Sequence, residues 1–185
     1  MGQEETAKAD RAGAGAVSKL LSEPALFRIL DYWRGKRNGR VMPSRSEIDP
    51  LEIPWALSRI FLVSYSPEDG FRYRLAGAEV ASVFGRSNLK GLTMKDILPP
   101  EPAKFVEGRW APLVQDRAMI VMKGMIYLAA ERTPIGERLI LPLADKPDGP
   151  VTGAFGMTIC EWLTGDVPQE VKVSQIEYVP VSDIP

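Results

Sequence analysis

The residue types that most often carry out acid–base and nucleophilic chemistry are scarce in this sequence. Its 185 residues include no histidine and a single cysteine, Cys160. Histidine is the most frequent general base and the commonest metal ligand, and zinc or iron–sulfur sites need several Cys or His ligands. Histidine-based triads, Cys-rich metal sites and an intrachain disulfide are therefore excluded.

The remaining candidates for catalysis also lack the setting that catalysis requires. Glu4-Glu5 lies in an N-terminal tail and Glu68-Asp69 in a short turn, and neither place offers desolvation that would separate two carboxyl pKa values. Cys160 lies in the middle of a strand-like run, which is typical of a buried packing residue. No P-loop, dinucleotide-binding glycine motif or G-x-S-x-G sequence is present. We therefore expect a protein that is not an enzyme.

Positive charge is concentrated in residues 28–45, which contain five arginines and one lysine but only one acid, Asp31. The whole chain carries a net charge of -1, so it has no overall field to attract nucleic acid. A solvated face is the simpler interpretation of this basic run. We expect Arg40 and Arg45 to bind backbone carbonyls or a nearby carboxylate, such as that of Glu47 or Asp49.

The chain divides into one domain with an extension at each end. Residues 1–21 are rich in Ala, Gly and charge and predict a flexible tail. Residues 22–165 predict the domain itself, and residues 166–185 predict an extension that forms an edge strand or a loose arm. No apolar run resembles a signal peptide core or a membrane span, so we expect a cytoplasmic protein without membrane contact.

Periodicity within the domain predicts an α+β fold. A helix is expected at 24–36, and the other predicted elements are a strand hairpin at 60–66 and 71–77, short helices between 78 and 98, a helix near 102–117 and strands at 119–130, 138–143 and 152–163. Pro112 should kink or restart the longer helix. Five antiparallel strands with helices on one face follow from this order. The other face is also apolar and needs the helix at 24–36 as a cover.

Several motifs in this order resemble a bacterial PAS-domain family that is common in alphaproteobacteria and was formerly classed as a domain of unknown function. The resemblance covers roughly residues 24–163 and rests on Tyr32-Trp33, Gly39-Arg40, Pro43-Ser44-Arg45, Asp49-Pro50, RYRLAG at 72–77, Phe84-Gly85-Arg86 with Gly91, and Leu141-Pro142-Leu143. It implies a PAS fold with a five-stranded antiparallel sheet. As a class, PAS domains sense small ligands, light or redox state and form signalling dimers.

No cofactor is predicted for this member. Haem needs an axial ligand that is normally histidine, and no motif supports a substitute. The photoactive flavin subgroup needs a reactive cysteine on the helix after the second strand, where this chain reads EVASVFGRSN. A small apolar ligand stays open, because flexible methionines and aromatic rings can line a pocket as well as fill a core.

Two sets of residues are candidates for function. The first could line a pocket on the concave side of the sheet and comprises Phe71, Tyr73, Phe84, Phe105, Met122, Met125, Phe155 and Met157. The second is an apolar stripe on the N-terminal helix that could pack on the chain's own sheet or in a homodimer, and it comprises Leu26, Ile29, Leu30 and Trp33.

The function that these features predict is sensory or regulatory, through contact with a second copy or another signalling protein. A ligand or partner would change how the N-terminal helix lies on the sheet. Two alternatives remain open: a small α+β ligand carrier or enzyme of the cone-shaped type, and a nucleic-acid or nucleotide-binding adaptor that uses the basic run at 28–45.

Overall fold

Six strands form a single antiparallel sheet in the part of the chain that the structure describes. The structure is a computed structural model that describes residues 17, 19–127, 133–163 and 175–184. The strands are β1 (Ile60–Ser66), β2 (Gly70–Ala76), β3 (Ala118–Met125), β4 (Thr133–Leu143), β5 (Gly153–Leu163) and β6 (Gln175–Pro180). Their order in the sheet is β2-β1-β5-β4-β3-β6. The two central strands, β5 and β4, pair with each other over eleven positions.

Four α-helices that accompany the sheet lie wholly within the described residues. They are α1 (Pro24–Lys36), α2 (Ala78–Ser82), α3 (Met94–Ile97) and α4 (Pro100–Gln115). Helix α1 has Pro24 at its first turn, where the missing N–H of proline costs nothing. Pro112 does not restart α4, which continues through it to Gln115. Because Pro112 lies in the last turn of α4, only three helical residues follow it. The backbone hydrogen bond that proline cannot donate is therefore missing only near the end of the helix.

The two faces of the sheet are covered by different helices. Phe61 of β1 stacks on Trp110 of α4 with ring centroids 5.7 Å apart. Because side chains alternate along a strand, Leu62 points to the opposite face together with its β5 partner Phe155, whose ring meets Tyr32 of α1 at 6.1 Å. We call these the α4 face and the α1 face. The predicted α+β class, with the N-terminal helix over the second face, is confirmed.

The connector from α1 to β1 runs through three 3₁₀ turns, at Arg45–Glu47, Pro50–Glu52 and Pro54–Ala56. Ser44 and Glu47 form a capping box, in which the Ser44 N–H donates to the Glu47 carboxylate at 2.7 Å. Arg40 forms an ion pair with that same carboxylate, and Arg45 donates to the Ile48 carbonyl. The predicted role of Arg40 and Arg45 in holding the connector is therefore confirmed.

The predicted sheet was one strand short and its connectors were partly misplaced. Strand β4 begins at Thr133, five residues before the predicted start at 138, so Pro134 and Gly136 lie within the strand. The sixth strand, β6, comes from the C-terminal extension and pairs with β3 as an edge strand. Val17 and Leu21, within the predicted tail, are buried in the core. Residues 1–16 and 18 of the predicted tail, and residues 128–132, 164–174 and 185, lie outside the described residues.

The stacked aromatic core depends on a glycine in β5. Gly156 pairs with Phe61 across the sheet, and a Cβ at this position would overlap the Phe61 ring that lies on it. We predict that Gly156→Ala lowers the free energy of unfolding by ~1–3 kcal/mol, because overpacking must displace Phe61 from Trp110. Denaturant unfolding measures the effect.

The matched control for this prediction is Gly108→Ala on α4. A Cβ at Gly108 meets nothing within 4 Å, and the residue lies in the interior of the helix. Alanine there should leave stability unchanged or raise it by up to ~1 kcal/mol, because alanine is the better helix former. Equal losses in the two variants would contradict the assigned role of Gly156.

Candidate functional site on the two faces of β4

Two charged residues in consecutive positions of β4 are buried. Glu137 is 4% exposed and Arg138 is 6% exposed, and they are the only buried charged residues in the described part of the chain. Because they are neighbours on a strand, one side chain enters each face of the sheet. Burying a charge is costly unless polar partners compensate for it, so the surroundings of each residue show what it does.

Arg138 lies on the α4 face among aromatic rings. Its Nε donates to Thr158 Oγ1 at 2.8 Å, and its guanidinium carbon lies 4.2 Å from the ring centroid of Tyr127 and 5.8 Å from that of Phe61. Ring faces attract a cation and offset part of its desolvation. No described carboxylate lies within ion-pair distance of Arg138. The interior of the domain thus holds a positive charge that rings and one hydroxyl stabilise.

The polar groups beside Arg138 are held in their neutral forms. Burial raises the pKa of the Tyr73 phenol, with the Arg138 charge opposing the rise. Burial also raises the pKa of the half-buried Cys160 thiol. A thiol with a raised pKa is a poor nucleophile, which agrees with the interpretation of Cys160 as a packing residue. Phe84 adds an edge-to-face contact with Tyr127 at 5.6 Å.

Glu137 lies on the α1 face and ties the beginning of α1 to the sheet. The Ser22 N–H donates to both carboxylate oxygens, at 2.9 and 3.1 Å. Lys123 of β3 donates to Ser22 Oγ at 2.6 Å, and its Nζ lies 3.8 Å from the Glu137 carboxylate. Ser22 does not cap α1, because the N-cap position belongs to Glu23. Ser22 instead binds the sheet one residue before the cap.

The remaining length of α1 is also fixed on the chain's own sheet. All four residues of the predicted docking stripe, Leu26, Ile29, Leu30 and Trp33, are at most 2% exposed. Trp33 Nε1 donates to the Pro142 carbonyl at 3.0 Å, and Arg37 donates to the Ile184 carbonyl at 2.8 Å. The Tyr32 hydroxyl donates to Glu52, and burial together with this hydrogen bond raises the pKa of Tyr32 to about 12. The stripe is thus covered within one chain.

The eight residues predicted to line one pocket are divided between the two faces. Phe71, Tyr73, Phe84 and Met122 belong to the α4 face, where Met122 pairs with Arg138. Strand alternation places Phe155, Met157 and Met125 on the α1 face, since they pair with Leu62, Ile60 and Ile135. Phe105 is 48% exposed on the outside of α4. The prediction of one shared lining was therefore wrong.

Sequence reasoning missed Glu137 and Arg138 as functional candidates. The strand was predicted to begin at Arg138, so Glu137 fell into the supposed turn and the paired charges were not recognised as internal. Extending the alternation of Leu139, Leu141 and Leu143 back along the chain would have placed Glu137 on the α1 face. A charged residue at an apolar position of a central strand is the signal that identifies such a site.

The described residues also bear on the requirements of a metal site, a membrane-spanning helix and a ligand pocket. No group of three or more acids or cysteines is arranged to hold a metal ion within them. No described helix combines the length and the apolar character that crossing a bilayer requires. A pocket of about 210 Å³ lies between the β1–β2 turn and α4, with Phe71 and Glu107 in its wall.

Comparison with protein families gives one match, to the PAS domain family, over residues 21–159. Comparison with curated proteins and with solved structures gave no match. The matched range begins next to Ser22, which anchors α1, and includes β1 to β4 and most of β5. It covers well over half of the chain and agrees with the antiparallel sheet and its flanking helices. The chain therefore belongs to the PAS domain family, whose members are in general sensory or regulatory modules.

Proposed function

We propose that this chain is a non-enzymatic PAS sensory module that signals by changing how α1 is seated on the sheet. Occupancy or rearrangement of the α4 face around Arg138 is the input, and release of α1 on the opposite face is the output. The observation that carries the proposal is the pair of consecutive buried charges in β4, one in contact with the aromatic interior and the other in contact with the residue before α1.

The route between the two faces is short. In this proposal a ligand that draws Arg138 away from Thr158 pulls on β4, where Arg138 is joined to Glu137 by a peptide bond. The carboxylate of Glu137 receives the Ser22 N–H at 2.9 Å, so a small rotation of the strand lengthens this bond. A ligand moves such an equilibrium only through its different affinity for the two arrangements. Arg138 supplies that difference for an apolar ligand that also carries a negative or polar group.

The released state has an apolar surface that needs a cover. The stripe on α1 is buried against the sheet, and its separation would expose both the stripe and the sheet beneath it. Exposed apolar patches of this size favour association. A second copy of the chain presents the same two surfaces, so a homodimer that exchanges or shares α1 is the proposed signalling contact. Another signalling protein with a matching apolar helix would compete for this position.

Internal contacts of the basic run favour this function over a nucleic-acid adaptor. Most of the cations in residues 28–45 have partners within the chain. Three form ion pairs: Arg34 with Asp31, Lys36 with Glu52, and Arg40 with Glu47. The guanidinium of Arg28 lies 3.7 Å from the Trp55 ring, and Arg37 donates to the Ile184 carbonyl. Cations that already neutralise local groups contribute little to phosphate binding. A bacterial, cytoplasmic setting without a bound cofactor completes the proposal.

If Arg138 serves the input, the ligand-free protein does not need its charge for stability. We predict that Arg138→Met leaves the free energy of unfolding unchanged or raises it by ~1 kcal/mol, because an apolar side chain of similar length avoids the cost of burying a cation. Thr158→Val, which removes only the acceptor and leaves the cation buried, should lose ~1–3 kcal/mol. Urea unfolding of both variants measures these values, and a loss of ~3–5 kcal/mol in Arg138→Met would make the residue structural.

If Glu137 holds α1, neutralising its carboxylate should release the helix. We predict that Glu137→Gln increases amide hydrogen exchange at residues 24–36 at least tenfold more than exchange in β1 or β5, because Ser22 and Lys123 lose their acceptor charge. The same variant should shift the light-scattering mass toward a dimer as protein concentration rises.

Glu177→Gln is the control for this experiment, since it makes the same chemical change at an exposed position of β6. It should alter neither exchange in α1 nor the measured mass. Uniform acceleration throughout the sheet in Glu137→Gln would show general destabilisation and contradict selective release. Selective release without any change in mass would contradict the homodimer as the output.

A further inference from the structure

A second pocket, of about 470 Å³, opens beside the connector on the β1–β2 side of the sheet. Its volume falls within the ~300–1,000 Å³ that is usual for small-molecule sites. Residues from the connector, from β1, β2 and β5, and from two loops line it: Arg45, Val63, Ser64, Arg74, Lys90, Asp145, Thr152 and Gly153. It is separate from the buried charges of β4, and none of the residues assigned to the signalling route contributes to it.

The charge around this pocket is mostly positive and is not neutralised within the described residues. Arg45, Arg74 and Lys90 come from three separate segments, and Asp145 is the only acid in the wall. None of these four side chains forms an ion pair with a described residue. By comparison, Arg34, Lys36 and Arg40 each form an ion pair with an acid of the chain. Three cations that converge on a concave surface favour a multiply charged anion.

Two of the cations are held in place. Arg45 begins the 3₁₀ turn that the Ser44–Glu47 capping box closes, and it donates to the Ile48 carbonyl at 3.3 Å. Arg74 donates from Nε to Ser64 Oγ at 2.9 Å, which fixes its guanidinium plane beside the pocket. An arginine that is already positioned loses less conformational freedom when an anion binds to it.

A hydroxyl in the wall is short of a partner. Thr152 Oγ1 is buried and makes no hydrogen bond with any described residue. The Thr152 backbone is fixed, because its carbonyl accepts from the Tyr65 N–H at 2.8 Å and its N–H donates to the Leu143 carbonyl at 2.9 Å. At Gly153, any Cβ would overlap the Val63 carbonyl, so glycine allows β5 to approach β1 closely here. A buried hydroxyl without a partner is unfavourable, and a ligand oxygen would satisfy it.

We propose that this pocket binds a small molecule through a phosphate group. Two arginines and a lysine suit a dianion with several acceptor oxygens, and the Thr152 hydroxyl supplies a further donor. The pocket volume leaves room for an organic part beyond the phosphate. Asp145, the one acid in the wall, would repel additional negative charge on a ligand. The assignment is independent of the proposed signalling function, because it needs neither Arg138 nor the release of α1.

The test is a titration of the full chain with inorganic phosphate, glycerol phosphate and citrate at constant ionic strength, followed by two-dimensional amide NMR. We expect saturable shifts at Ser64, Lys90, Thr152 and Gly153 with both phosphates. Arg45→Gln and Arg74→Gln should each weaken phosphate binding at least tenfold with the circular dichroism spectrum unchanged. Stronger binding of glycerol phosphate than of inorganic phosphate would support a site for an organic phosphate.

Lys104→Gln is the control variant, because it removes one exposed positive charge from α4, away from this pocket. It should change the phosphate affinity by less than twofold. An equal loss in Lys104→Gln and Arg74→Gln would show nonspecific attraction by surface charge and overturn the site. Citrate binding at the same residues as tightly as phosphate would overturn the assignment to phosphate, and shifts that never saturate would overturn both.

Discussion

The arrangement of this domain depends on the contact between the Glu137 carboxylate and the Ser22 N–H. The carboxylate is almost fully buried on the α1 face, and the Ser22 N–H and the Lys123 ammonium are the partners that make its burial tolerable. The same contact ties the residue before the cap of α1 to β4. If it is lost, Leu26, Trp33 and their neighbours still favour the apolar surface, but this polar tie is gone.

In the proposed signalling route this contact is the output end, because the central strand β4 contacts the helices on both faces of the sheet. The side chain of Arg138 lies among aromatic rings on the α4 face, and that of Glu137 lies on the α1 face. Apolar burial alone has no directional requirement. Hydrogen bonds to charged groups depend more sharply on distance and direction. The buried charges therefore turn a movement of one strand into the loss or gain of a specific bond.

The α+β class, the hairpin at 60–76 and the covering helix could be predicted from the sequence, since each rests on a strong local pattern. The proline at the first turn of α1 and the spacing of Leu26, Leu30 and Trp33 are patterns of that kind. The candidate site could not be predicted in the same way. Phe155 and Tyr73 are both apolar strand residues, and only the pairing of β1 with β5 and β2 shows that they point to opposite faces.

Register and tertiary pairing also explain the other differences. The segment at Thr133–Gly136 has the composition of a turn, but pairing with β3 on one side and β5 on the other holds it in extended form. The pocket at Arg45, Arg74 and Lys90 joins residues that are far apart in sequence, so no local motif marks it. A pair of charges inside an apolar run, such as Glu137 and Arg138, is the one part of the site that a sequence does display.

A double-mutant cycle between Arg138 and Glu137 tests the central claim most directly, with the local opening free energy of α1 as the quantity measured. Native-state hydrogen exchange at residues 24–36 would be compared in the wild type, Arg138→Met, Glu137→Gln and the double variant. Communication through β4 predicts that the two effects on α1 deviate from additivity by at least ~0.5 kcal/mol. Additivity within ~0.3 kcal/mol would show that the two faces of β4 act independently and would contradict the account.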